Sequence, residues 1–143
     1  MINMNDIEKA KKLLIQGGYT CVICRDGEIY TSFERGVKPL LLPLEEGRSF
    51  EGFSAADRVV GKAAACLYVL LKVGSVHAQI VSRKALDIFE KYGIELSYDE
   101  LVPAIENRTK TGLCPMETAV WDIEEARDAP RAIRKTLEKL QEN

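Results

Sequence analysis

A chain of 143 residues, 46% hydrophobic and 29% charged, has the size and composition of one ordinary globular domain (1–143) with a real core. A formal net charge of -2 gives no electrostatic reason to expect a nucleic-acid partner, and no apolar run approaches the roughly 20 residues that a membrane span needs. The opening "MINMNDIEKAKK" has neither the basic start nor the apolar stretch of a secretory signal, so a cytoplasmic setting is expected, with Cys21, Cys24, Cys66 and Cys114 as free thiols.

The first predicted helix starts at Asn5, with Glu8 in the capping-box position, and ends at Gly17-Gly18. Ile7, Ala10, Leu13 and Leu14 fall on one face of it. "YTCVICRDGEIYTSF" reads as a β-hairpin around Asp26-Gly27, closed by an Arg25–Glu28 charge pair. "KPLLLPLEEG" carries Pro39 and Pro43, which exclude a central strand, so an edge piece or docked loop is expected. Ser54 to Gly74 reads as one long, Ala- and Leu-rich central helix.

Val76–Val81 suits a buried strand, and "SRKALDIFEKYG" an amphipathic helix with Leu86, Phe89 and Tyr92 inward. Ile94–Tyr98 is a further predicted strand and "DELVPAI" a helical turn. A polar loop then leads into a helix from Pro115 to about Arg127, and Asp128 with Pro130 opens a last helix with the stripe Ile133, Leu137, Leu140. A hairpin followed by strand–helix alternation implies an α/β domain, a mixed sheet with helices on both faces.

The metal-like patterns carry little. "CVIC" has zinc-ligand spacing, but residues three apart on a strand point to opposite faces, and no second pair completes four ligands. His77-Ala78-Gln79 and the downstream Cys-Pro-Met-Glu resemble the two zinc-deaminase motifs. Gln79 stands where the proton-shuttling Glu is needed, however, and Glu117 where the second Cys is needed. His77 therefore reads as a satisfied, half-buried strand residue, and neither a metal nor any other cofactor is expected.

Two stretches invite a ligand. If Ser54–Gly74 is a helix, then Asp57, Arg58, Gly61, Lys62 and Tyr68 share one side, and Gly61 costs about 1 kcal/mol relative to Ala there. That cost implies close approach by another backbone or by a ligand. In "NRTKTGLCPMETAV", Pro115 fits the first helical position and puts Cys114 at the N-cap, where the dipole favours a thiolate or an anion. Glu117 has two plain uses there, a bond back to its own cap or favourable placement at the dipole. Arg108 and Lys110 add positive charge, and Asn107 a polar anchor.

"DRVVGKAAA" together with "NRTKTGLCPMETAV" resembles a family of small bacterial and archaeal proteins described only as a domain of unknown function. The resemblance spans nearly the whole chain. It implies a cytidine-deaminase-like fold, a three-layer α/β/α sandwich around a mixed sheet, whose two metal stations are here filled by "SAAD" and "SRKAL". It implies no zinc site and no established activity, so zinc-dependent deamination is not expected.

The reading that follows is a metal-free binding or regulatory module for a small anionic or nucleotide-like ligand. Asp57, Lys62, Asn107, Arg108, Lys110, Cys114 and Glu117 are its candidate contacts. The alternatives are an enzyme with Cys114 as nucleophile and Glu117 or Asp57 handling protons, and an interaction or homo-oligomerisation domain docking through "KPLLLPL".

Overall fold

The computed structural model describes residues 5–142. Its first element is α1 (Asp6–Gln16), capped as the sequence predicts: the Glu8 backbone N–H donates to Asn5 Oδ1 at 2.9 Å. The hairpin follows as β1 (Cys21–Arg25) and β2 (Glu28–Ser32), paired antiparallel across Asp26-Gly27. Arg25 and Glu28 face each other in register, but the Arg25 guanidinium instead bonds the Glu51 carbonyl and lies 4.0 Å from Asp26.

"KPLLLPLE" is a helix, α2 (Lys38–Glu45), not a loop or edge strand. Pro39 lies in its first turn, where a missing N–H has no cost. Pro43 lies inside it and cannot serve the Pro39 carbonyl one turn back. The Tyr30 hydroxyl donates to that carbonyl at 2.7 Å, so the orphan acceptor is satisfied from β2.

The largest departure from expectation is Ser54–Gly74. It is a strand, β3 (Ser54–Val60), then Gly61, then α3 (Lys62–Leu71). Ala55 and Ala56, read as helix formers, are fully buried on opposite faces of a central strand. Small side chains there let a helix come close on each side. Gly61 is therefore the N-cap of α3 rather than a mid-helix residue, and the single helix side expected to carry Asp57, Arg58, Gly61, Lys62 and Tyr68 does not exist. Tyr68, placed on that side, is wholly buried.

The remaining elements are β4 (Ser75–Ser82), α4 (Arg83–Tyr92), β5 (Glu95–Val102), α5 (Pro115–Val120), a 3-10 turn (Ala126–Asp128) and α6 (Ala129–Glu142). β5 absorbs the start of "DELVPAI", expected as a helical turn. The helix expected from Pro115 to Arg127 stops at Val120.

The sheet order is β2-β1-β3-β4-β5. β1 is antiparallel to both its neighbours, and β3, β4 and β5 run parallel. Parallel neighbours need long crossovers, and α3 and α4 supply them. One face carries α1, with Ala10 and Leu14 packed on Val22, Cys24 and Ala56. The other carries the large core, where Ile23, Ala55, Val76 and Ala78 meet Leu40, Leu67, Tyr68, Phe89, Val120 and Ile133 from α2 to α6. The arrangement is an α/β three-layer sandwich on a mixed sheet, as expected. No helix among the described residues is long and apolar enough to cross a membrane.

Candidate functional site

β1 runs antiparallel to β3, with Cys21 opposite Asp57, so the second half of β3 runs on past the start of β1. β2 ends beside the start of β1, with Ser32 opposite Cys21. At this junction lies a cavity of about 220 Å³. Its wall takes in Asp57, Val59 and Gly61 from the end of β3, Ala63 and Ala64 from the first turn of α3, and Thr20 before β1. Glu34 to Val37 and Pro39 close one side, and Ile105, Cys114, Met116 and Glu117 close the other. Two segments some fifty residues apart, one around Asp57–Gly61 and one around Cys114–Glu117, thus line one cavity at the carboxyl end of a parallel strand, a common ligand position in α/β sheets.

Glu117 is 1% exposed. Its Oε1 accepts the Lys62 N–H at 2.7 Å, and its Oε2 accepts the Ile105 N–H at 3.1 Å. The first N–H groups of a helix have no partner inside it, and the positive dipole end favours a carboxylate. Glu117 therefore caps α3, not its own helix, and ties α3 to the segment leaving β5. This also explains Gly61. A Cβ added there would lie 2.8 Å from Glu117 Oε1 and 3.1 Å from both Glu117 Cδ and Ile105 Cγ1. The close approach inferred for Gly61 comes from the protein itself.

Asp57 is half-buried, with part of its surface on the cavity. The Tyr68 hydroxyl donates to its Oδ2 at 2.6 Å, and Cys21 Sγ lies 3.3 Å from that hydroxyl. Burial pushes the Asp57 carboxyl up to about 6, against the opposing pull of the Tyr68 bond and of Arg58. Burial, then the nearby Asp57 charge, also raise Tyr68 and Cys21 well above their ordinary ranges. Because the one phenolic proton goes to Asp57, the Cys21 thiol completes the chain by donating to Tyr68.

Of the other candidates, Lys62, Asn107, Arg108 and Lys110 do not line this cavity. Lys62 is 6% exposed, and its ammonium is turned away to the carbonyls of Trp121, at 3.1 Å, and Ile123. Burial and then the neighbouring Lys84 lower its pKa. Asn107 organises its own loop: its Oδ1 accepts the Thr111 N–H at 3.0 Å and the Thr109 hydroxyl at 3.2 Å. Arg108 and Lys110 are exposed and do not line the cavity. Cys114 does line it, at the N-cap of α5 and without a side-chain capping bond, and it is the one cysteine not buried.

His77 is buried, with Nδ1 2.7 Å from Ser97 Oγ and Nε2 3.4 Å from Asp99, as its satisfied reading predicts. Cys21 and Cys24 face opposite layers, as strand alternation requires. Among the described residues no three His, Cys, Asp or Glu side chains come together in a way that could hold a metal ion.

Sequence reasoning missed Cys21, Glu34, Arg35 and Ile105 as neighbours of the site, and it put Tyr68 beside Asp57 on a shared helix face that does not form. The available signal was "RVVG". Two β-branched residues before a glycine mark a strand end as readily as a helix interior, and a strand puts Asp57 on the same face as Ala55.

The chain belongs to the family described as a domain of unknown function (DUF1893), whose model matches residues 9–137. It is similar to a solved structure, that of a DUF1893 family protein (TM1506) from Thermotoga maritima. The two are 27% identical, with 97% of this chain and 92% of that one covered and a TM-score of 0.82. No curated protein matches it significantly. The resemblance read from "DRVVGKAAA" and "NRTKTGLCPMETAV" is thus to the family the chain belongs to.

Proposed function

We propose that the domain is a small-ligand binding module whose ligand seats one compact ring in the cavity between the end of β3 and the start of α3. The observation that carries this reading is the cavity itself: a largely apolar hollow into which Asp57 brings a carboxyl group. Pockets for drug-sized ligands run to roughly 300–1,000 Å³, so a volume of about 220 Å³ suits a single ring with a short substituent. A nucleotide-like ligand would enter base first, with its phosphates outside, near the exposed Arg35 at the mouth. The Ala63 and Ala64 N–H groups, in the unpaired first turn of α3, are the donors nearest to hand. The mixed sheet between two helical layers supports the deaminase-like layout, and four free thiols support a cytoplasmic setting.

The test is a thermal-shift screen of nucleobases, nucleosides, nucleotides and sugar phosphates. Val59 is 45% exposed and lines the cavity, so Val59→Trp narrows it with little burden on the core. The expected outcome is stabilisation of the natural chain by at least one ring-bearing compound, lost in Val59→Trp and retained in Arg108→Ala. A hit lost in Arg108→Ala but kept in Val59→Trp would move the ligand to the Asn107–Gly112 loop and end this reading.

One observation favours a second reading, an enzyme with Cys114 as nucleophile: this thiol shares the cavity with Asp57. His77 is committed to Ser97 and Asp99, so Asp57 would be the group left to move protons. A ligand that protects Cys114 from alkylation and is itself turned over would favour it. Docking through "KPLLLPL" has less support, because Leu40 and Leu41 are buried in α2 and only Leu42 is exposed.

A further inference from the structure

We propose that the cavity selects a ligand head that donates hydrogen bonds or carries positive charge, with Asp57 as the acceptor that reads it. This rests on the small-ligand reading above and gives the ligand a chemistry. Three carboxylates line the cavity: Glu34 is exposed at its mouth, and the two further in, Glu117 and Asp57, differ in occupation. Both oxygens of Glu117 are taken by backbone N–H groups. Asp57 keeps surface on the cavity and accepts from the Tyr68 hydroxyl. An ionised carboxylate offers about four acceptor positions, so there is room for a donor from a ligand.

The charges around Asp57 point the same way. Its own strand supplies Arg58, but that guanidinium is spent on the carbonyls of Tyr19 at 2.7 Å and Leu14 at 3.1 Å and lies 3.4 Å from Gln79 Oε1. From α3 comes Tyr68, and from β1 comes Cys21, both held neutral. Lys62 turns away to α5, and the α5 side of the cavity presents Glu117 and Cys114. Glu34 and Arg35 are exposed at the mouth. Arg58 also lines the cavity and its charge acts on Asp57, but among the described residues no cationic side chain donates a bond to that carboxylate. A carboxylate or phosphate head would face it unpaired, whereas an amine, amidine or amino-substituted ring would supply the missing partner.

The phenolic proton of Tyr68 is committed to Asp57 and the Cys21 thiol backs it, so the chain of donors runs toward the cavity and favours the ionised acid. Ligand charge and proton compete for the same oxygen. The carboxyl titrates at about 6, so a cationic head should lose affinity as pH falls through that value.

Benzamidine, benzamide and benzoate share a ring and nearly a shape, and differ in the head. Binding of each to the full chain is measured by ligand-observed NMR titration, with Val59→Trp as the blocked control. Benzamidine is expected to bind about tenfold tighter than benzamide, and benzoate most weakly. Asp57→Asn, in which Tyr68 still has an oxygen to donate to, should erase the benzamidine preference and keep benzamide. Tyr68→Phe should shift the pH midpoint of benzamidine binding upward, which a purely structural role of Asp57 would not do. Benzoate binding as well as benzamidine, or an unchanged ranking in Asp57→Asn, overturns the inference while leaving the cavity a binding site. Failure of all three probes to bind the natural chain overturns the small-ligand reading with it.

Discussion

Glu117 and Asp57 stand on the same cavity about sixty residues apart in sequence, and they are held in different ways. At the Glu117 end both carboxylate oxygens have a protein partner: two backbone N–H groups fill them, and glycine at position 61 makes the space they need. At the Asp57 end a neutral relay from Tyr68 supports the carboxyl from one side, and the other side opens on the cavity. A carboxylate whose oxygens are both satisfied by backbone is a structural tie. One that is desolvated, raised to about 6 and left with open surface carries an energetic burden that a folded protein alone does not require.

Removing Glu117 should have the largest effect on stability. Glu117→Ala leaves the Lys62 and Ile105 N–H groups buried without acceptors, and we expect a loss of about 4 kcal/mol in urea unfolding. Glu117→Gln retains one oxygen and should lose roughly half as much. A loss below about 1 kcal/mol for Glu117→Ala would mean that water replaces the tie and that the two carboxylates are not different in kind.

Gly61→Ala is next. Its new Cβ would meet a carboxylate that cannot swing away without breaking one of its two bonds, and overpacking of this sort costs about 2 kcal/mol. In the Glu117→Ala background the same substitution should cost about half as much, because the obstructing carboxylate is gone while Ile105 Cγ1 remains 3.1 Å away. Thermal unfolding of the four-member cycle measures that coupling.

The smallest effect has the opposite sign. The folded carboxyl of Asp57, at about 6, lies above its ordinary value of 3.8, so folding favours the protonated form. Its contribution to stability is complete below about 3.8 and is lost as pH rises through about 6. Asp57→Asn should therefore be more stable than the natural chain by about 1–2 kcal/mol at neutral pH, the lower figure applying because the group is partly open to the cavity. The gain should vanish toward pH 4, below the range of the about 6 titration. Equal stability at both pH values would place Asp57 with Glu117, as a group the fold needs for itself.

Much of the architecture can be read locally because its signals are short-range. Asn5 with Glu8, the Asp26-Gly27 turn, Ser82 ahead of an amphipathic run and Gly93 at its end act within one turn of chain, and each forms as the sequence predicts. The alternation that sends Cys21 and Cys24 to opposite layers is equally local. The errors fall where tertiary context overrides propensity. Ala55 and Ala56 favour a helix in isolation, but a central strand between two helical layers needs small residues more than it needs β-branched ones. Pro43 argues against a helix until Tyr30, thirteen residues earlier, satisfies the carbonyl that it strands.

The candidate site divides along the same line. Residue chemistry alone drew attention to Asp57, Cys114 and Glu117, the first on an expected polar face beside Gly61 and the other two at a helix start where a thiol stands in place of the usual capping oxygen. It could not say which of the neighbouring polar residues face the cavity. Lys62 turns to carbonyls some sixty positions away, Asn107 turns into its own loop, and Arg108 and Lys110 point to solvent. Caps, turns and alternation are written in adjacent residues, since the bonds they describe span only a few positions. The partner of Glu117, the relay behind Asp57 and the hollow between them are products of strands and helices packed from distant parts of the chain, and only folding brings those parts within hydrogen-bonding range.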